Sequence, residues 1–316
     1  MIDKMARGIA KHPKTVLIVC LILLIPSIIC YLNTFVNYDI LSYLPEDLNS
    51  VQGEHILDKT FNNAASAIVV IENEDQKTAV KLKEEISEID GVSNVMWVDD
   101  IADISIPEDM LPDDLKNVFY SKDGNATLMM VQFTQGGASE STMDAIKSIR
   151  KCMNKNMFMS GVSTIMYDTK ALADAQAPLY VVIAIVLALI VLMFTLKSYV
   201  LPFVLLMALC TAVVYNMGTN IFFGQISYIT QCIAAILQLG VTMDYSVFLM
   251  DRYEEECKHN DDRTMAMASA ISSTFVSLAG SSLTTVFGFL ALCFMSFKLG
   301  LDIGLVMAKG VLLGVI

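Results

Sequence analysis

Charge is scarce in this sequence. Asp, Glu, Lys and Arg make up 17% of its 316 residues, against 55% hydrophobic residues; soluble domains carry about a quarter charged residues. Histidine is scarcer still. His12, His55 and His259 lie far apart and outside the apolar runs, which leaves no zinc-type cluster and no histidine acid–base pair. Cysteine occurs seven times without forming a framework. Cys20, Cys30, Cys210, Cys232 and Cys293 fall in apolar runs, Cys257 in a polar loop, Cys152 stands alone in the central segment, and no CxxC pair occurs. That spacing excludes a disulfide scaffold and a thioredoxin-like site. With no nucleophile motif either, neither an enzyme nor a cofactor or metal is expected. Positive charge is short where it would matter for nucleic acid. Between Asn33 and Ala177 there are 24 acidic and 11 basic residues, and elsewhere 9 and 10. The segment is thus strongly anionic and would repel a polyanion, so no nucleic-acid partner is expected.

What the chain has instead is long apolar runs, with a mean hydropathy of +0.57. The first is Val16 to Leu32, preceded by Lys4, Arg7, Lys11 and Lys14. It is long for a signal peptide and Ile28–Tyr31 offers no small-residue cleavage site, so it reads as an uncleaved transmembrane helix with a cytoplasmic N-terminus. Further runs cover Leu179–Leu196, Val200–Met217, Ile226–Met250 and Ala268–Phe294, and a sixth begins at Gly300. Each can cross a hydrocarbon core about 30 Å thick. Lys197, Arg252, Lys258 and Arg263 lie in the loops that fall on the N-terminal side of the membrane, as the excess of basic residues in cytoplasmic loops requires. The expected organisation is residues 1–32 as cytoplasmic N-terminus and first span, 33–177 as an extracytoplasmic domain, and 178–316 as spans two to six.

The central segment alternates strand and helix signals. Ala67–Ile71, Val92–Val98, Thr127–Phe133 and Met157–Ser163 read as strands. Ala79, Leu82, Ile86 and Ile89 recur at helical spacing, as do Met143, Ile146, Ile149 and Met153. Strand–helix–strand twice over is the split βαβ pattern. Pro107 to Tyr120 is expected to be a connecting helix or loop.

The chemistry concentrates in the fourth run. Asp244 is the only acidic residue between Ile226 and Met250, about 9 Å along the axis from the middle of the run at about 1.5 Å per residue. An ionised side chain near mid-bilayer costs about 2.5–3.5 kcal/mol on insertion scales, and intramembrane acids are functional by default. Asp244 is therefore the candidate proton carrier, with a helix–helix hydrogen bond as the bland alternative. Gln231, Gln238 and Tyr245 recur every seven residues on one helix face, with Thr242 beside them. Their stripe borders Asp244, and for the glutamines interhelical bonding is the favoured role. In the fifth run Ser269, Ser273, Ser277, Ser281 and Thr285 recur every four residues, beside Gly280 and Gly288. Small-residue packing explains most of that row, and a few hydroxyls are expected to hold water against Asp244.

The stretch from Gly240 to Tyr245 (Gly-Val-Thr-Met-Asp-Tyr), running on through Phe248 to Arg252, Glu254 and Glu255, resembles the GxxxDYxxF…R…E motif of the MMPL family in the RND superfamily of transporters. Lys11-His12-Pro13-Lys14, Asn37-Tyr38-Asp39, Tyr43-Leu44-Pro45-Glu46-Asp47, Ser281-Ser282-Leu283-Thr284-Thr285 and Gly288-Phe289 resemble other parts of its N-terminal half. The resemblance implies an α-helical membrane protein with a six-helix, sterol-sensing-like bundle and an inserted α+β ferredoxin-like porter domain. It implies a proton-motive-force-driven exporter of hydrophobic or lipid-like molecules in the cell membrane. Asp244 and Tyr245 would form the proton relay, supported by Gly240, Thr242, Gln238, Ser277, Ser281 and Thr284. Such relays use two halves, and this sequence has one half and no internal repeat. A second half is expected from a missing C-terminal segment, a partner chain or a homodimer; the end at Ile316, inside an apolar run, fits a fragment or a half-size protein. The alternatives are a protein-export accessory like the SecDF branch and a non-transporting lipid sensor.

Overall fold

The structure is a computed structural model, and it describes residues 2–61, 65–103 and 110–315. The chain divides into two compact units, one formed by Glu46–Leu172 and the other by Met1–Pro45 with Ala173–Ile316.

The Glu46–Leu172 unit opens with helix α3 (Asn49–Phe61), which the sequence periodicity had not marked. Strand β2 (Ala65–Glu72) follows, with Ala65, Ala67, Val69 and Ile71 buried and the residues between them more exposed. That alternation is what one buried sheet face demands. Helix α4 (Gln76–Ser87) starts where Asp75 accepts the Thr78 amide at 2.9 Å, and it buries Ala79, Leu82 and Ile86. Then come β3 (Val92–Met96), α5 (Asp113–Phe119), β4 (Ala126–Phe133), α6 (Glu140–Cys152) and β5 (Met157–Ser160). The four strands form one sheet in the order β3–β4–β2–β5, with every neighbouring pair antiparallel. This is the split βαβ arrangement. The core joins Val69, Ile71, Met129, Val131 and Phe133 of the central strands to Ile86, Ile146 and Ile149 of the two helices. Trp97 is fully buried, and its indole N–H donates to Thr127 Oγ1 at 2.8 Å.

Three local expectations shift. The second strand stops at Met96, and Val98–Asp100 form a 3-10 turn held by the Asp100 carboxylate on the Trp97 amide at 2.8 Å. The last strand stops at Ser160. Gly161, at φ +123°, breaks it where a Cβ would lie 3.1 Å from the Ala67 Cα. Helix α7 then runs unbroken from Val162 to Thr195 through Pro178, so the second apolar run is the last part of a helix of 34 residues. Of the expected Pro107–Tyr120 connection, the part up to Asp109 lies outside the described residues.

The other unit is helical. Helix α1 (Ile2–Lys11) precedes α2 (Pro13–Leu32), and a short strand β1 (Phe35–Asn37) follows. After α7 come α8 (Leu201–Gly218), strand β6 (Gln225–Ser227), α9 (Tyr228–His259), α10 (Arg263–Ala291) and α11 (Lys298–Val315). Among the described residues five helices are long and apolar enough to cross a membrane: α2, α7, α8 with the turn after it, α9, and α10 with the turn after it. Helix α11 has 18 residues, and three of them, Lys298, Asp302 and Lys309, are charged. β1 and β6 pair in parallel, Phe35 with Gln225 through Asn37 with Ser227. The segment after α2 is thus tied to the start of α9.

Candidate functional site

Helix α9 sorts its residues by face. Thr230, Ala234, Gln238, Thr242 and Tyr245 are buried, while Ile233, Leu237, Gly240, Asp244 and Phe248 are exposed. The exposed set recurs at three- and four-residue steps, so it forms one stripe. Asp244 sits on that stripe and, among the described residues, has no hydrogen-bond or ion-pair partner. A Cβ added at Gly240 would meet nothing within 4 Å. The neighbouring Tyr245 turns the other way and packs with Leu278 and Val286 of α10 and Ala308 and Val311 of α11. The acid and the phenol of the motif therefore point to different surroundings.

Gln238 and Thr242 serve the interior. Gln238 Oε1 accepts from Asn216 Nδ2 of α8 at 2.8 Å, and its Nε2 donates to the Gly310 carbonyl of α11 at 3.2 Å. Thr242 Oγ1 donates to the Gln238 carbonyl at 2.7 Å. The helices come this close because α11 has glycine there: a Cβ at Gly310 would lie 2.5 Å from Asn216 Nδ2.

Ser277, Ser281 and Thr284 lie on an exposed face of α10. Arg252 Nε donates to Ser273 Oγ at 3.1 Å, which fixes the register of α9 against α10. Counting from that contact along these antiparallel helices, Asp244 and Ser281 lie at nearly one height. The expected water-holding hydroxyls are mostly turned inward on their own helix. Ser277 donates to the Ser273 carbonyl at 3.1 Å and Thr284 to the Gly280 carbonyl at 3.0 Å, the usual fate of a hydroxyl in a helix interior. Arg252 also pairs with Glu255 and Glu256 at 2.6 and 2.9 Å, and Lys197 pairs with Glu254 at 3.2 Å. The charges that follow Asp244 thus tie the end of α9 to its surroundings.

Two charged residues were missed in the sequence, although both stand in the sixth apolar run. Asp302 Oδ2 accepts from the Ser227 amide and from Thr230 Oγ1, each at 2.7 Å. Lys309 Nζ donates to the Asn216 carbonyl at 2.9 Å and to Asn220 Oδ1 at 2.6 Å, and it lies 4.9 Å from the centre of the Phe223 ring. Around the start of α9, Tyr38 stacks on Tyr228 with ring centres 5.6 Å apart and donates to Asp174 Oδ1 at 3.0 Å. Burial, with the Asp174 carboxylate beside it, raises the Tyr38 phenol above its ordinary pKa. Tyr43 is likewise pushed up to about 12, by burial first and then by the nearby Asp302 carboxylate.

The model of the MMPL family matches residues 42–316. Membrane protein MJ1562 of Methanocaldococcus jannaschii is 23% identical over 256 residues, 74% of this chain and 66% of its own. Transport protein MmpL12 of Mycobacterium tuberculosis is 24% identical over 202 residues, covering 60% of this chain and 18% of its own. The apo-petrobactin exporter of Bacillus anthracis is 25% identical over 271 residues, 78% of this chain and 36% of its own. The chain thus spans from under a fifth to about two thirds of the length of these relatives.

Proposed function

The chain belongs to the MMPL family, and from that premise we propose that it is a proton-motive-force-driven exporter of hydrophobic or lipid-like molecules. The observation that carries this reading is Asp244, a carboxylate on an outward stripe of an apolar helix, without a partner among the described residues. A carboxylate exposed to hydrocarbon is costly. One that meets a second bundle of the same architecture is shielded, and it can take up and release a proton as the two bundles shift. Protonation removes the charge and so changes the balance between two helix packings. One elementary charge moved through 100 mV supplies about 2.3 kcal/mol, enough to bias such a switch. In this reading α11 is the sixth span, and the Glu46–Leu172 unit is a porter domain outside the cytoplasm. The loop joining α9 to α10 lies in the cytoplasm with the N-terminus. Membrane lipids surround the bundle, and the second bundle comes from a longer chain, a partner or a second copy.

The test is Asp244→Asn. Asparagine keeps the size and the hydrogen-bonding oxygen and cannot exchange a proton. Gradient-driven efflux of a lipophilic dye, measured at matched expression, should be lost in Asp244→Asn and reduced in Tyr245→Phe. Normal efflux by Asp244→Asn would remove the relay and leave a lipid-sensing role in its place.

A further inference from the structure

Asp302 and Lys309 are seven residues apart, so they lie about two turns apart on one face of α11. Each meets a helix end of opposite polarity. The Asp302 carboxylate caps the first turn of α9, and the Lys309 ammonium reaches the last carbonyls of α8. Helix dipoles favour both placements. A clamp across the α8–α9 connection therefore explains where the two charges sit.

It does not explain how Lys309 is held. Among the described residues no carboxylate lies within ion-pair distance of its ammonium; its acceptors are the neutral Asn216 carbonyl, Asn220 amide and Phe223 ring. An ammonium held only by neutral groups is free to lose its proton, as a paired one is not. Further polar side chains lie beyond it: Asn216 Nδ2 donates to Gln238 Oε1, Thr242 Oγ1 donates to the main-chain carbonyl of Gln238 within α9, all three residues are fully buried, and the Asn216 side-chain oxygen has no partner. One turn beyond Thr242 the same buried face of α9 reaches Tyr245.

We propose that Lys309 is a second proton-binding group of the coupling machinery, loaded from the Asp302 end of α11 and unloaded past the buried polar residues Asn216, Gln238 and Thr242. The inference rests on the proton-coupled reading above. In the loading step the lone pair of the Lys309 amine takes a proton and the group becomes an ammonium. In the unloading step an Nζ–H bond breaks, its electron pair returns to nitrogen as the lone pair, and the proton passes to water on the buried face of α9 that leads toward Tyr245. No other bond changes. Among the described residues the groups in contact with the Lys309 ammonium from α8 and the turn after it are Asn216, Asn220 and Phe223, and from α9 Gln238 bonds the adjacent Gly310 carbonyl; none of them is ionisable. Toward the Asp302 end of α11 stand Asp302 itself and Tyr43, and Cys293, in the turn after α10, donates from Sγ to the Leu301 carbonyl at 4.0 Å.

The experiment reads proton flux into liposomes that hold the full chain and an entrapped pH dye, under an imposed gradient. Lys309→Met removes the charge and the proton. Lys309→Arg keeps charge and donors but never deprotonates. Both should lower the flux about a hundredfold or more. Wild-type flux in Lys309→Arg would leave only the clamp and overturn the proposal. Should the Arg variant fail to fold by thermal melting, Asn220→Asp decides. Its new carboxylate beside the ammonium should move the pH profile of the flux to higher pH, and an unmoved profile overturns the proposal. Asp244→Asn is measured alongside. If it conducts like the wild type, the proton-coupled reading itself fails; if it is dead while Lys309→Arg is normal, only the Lys309 inference fails.

Discussion

The two units of this chain are built inside out with respect to each other. In the Glu46–Leu172 unit the buried sheet and helix faces are mainly apolar: Val69, Ile86, Met129, Val131, Ile146 and Ile149 have no exposed surface, and among the described residues the buried polar ones are the hydroxyl-bearing Thr142, Ser163 and Thr164. In the helical unit the fully buried positions include Asn216, Asn220, Gln238 and Thr242. Many of its apolar residues look outward, and α2 has no buried residue. The two halves of the pattern share one physical cause. Water drives apolar side chains together, whereas lipid is as apolar as leucine and holds helices together only through packing and interhelical hydrogen bonds. The comparison teaches where function can be stored. A core built for water excludes charge, whereas a bundle built for lipid admits polar groups among its apolar contacts, and Asp302 and Lys309 stand half-buried beside them.

The contrast is tested most strongly by one substitution in each kind of interior. Ile146 lies between α6 and the sheet with no exposed surface. In the segment 33–177 expressed alone, which should fold cooperatively, Ile146→Ala should lose about 2–5 kcal/mol in urea unfolding. A loss below about 1 kcal/mol would mean that this core is not close-packed. The counterpart in the bundle is Gln238→Leu, which keeps the bulk and leaves Asn216 Nδ2 without its acceptor. An interhelical hydrogen bond in a membrane contributes about 0.6 to 2 kcal/mol. The expected loss is therefore smaller than that of the methylene cavity, as read from thermal melting of the chain in lipid nanodiscs. A loss equal to that of Ile146→Ala would show the polar row to be the main support of the bundle.

The same contrast decides what was legible in the sequence. The strands and helices of the Glu46–Leu172 unit could be read because burial there imposes a period: Ala65, Ala67, Val69 and Ile71 alternate, and Ala79, Leu82 and Ile86 recur at helical steps. The bundle gives a weaker signal, since its spans are mostly apolar on every side, a pattern broken by the polar stripe of α9 and the hydroxyl row of α10. The runs themselves were legible, and Asp244 stood out as the one acidic residue of its run. Its outward direction was not, because nothing in the sequence of α9 says which side another helix covers. Asp302 and Lys309 were visible as charges in an apolar run and were passed over, their partners being the ends of other helices. Helix α1 was hidden by its basic residues. The pairing of β1 with β6, three residues each, is too short to leave a pattern.

The smallest effect belongs to the outward face of α2. Leu23 is 52% exposed in the chain. In the Glu46–Leu172 unit a leucine truncated in the core loses both its transfer from water and its contacts. Leu23 starts in lipid and ends in lipid, so folding transfers it from nowhere. What Leu23→Ala changes is the preference of the helix for the bilayer, and on insertion scales a leucine at the helix centre contributes about 0.3–0.6 kcal/mol. Thermal melting in nanodiscs should therefore shift by less than Gln238→Leu shifts it, although more apolar volume is removed. A loss of more than about 1 kcal/mol would mean that Leu23 faces protein and not lipid. The surface to which a second bundle docks would then extend over α2, away from the Asp244 stripe, and the two-bundle arrangement proposed for proton coupling would have to be redrawn.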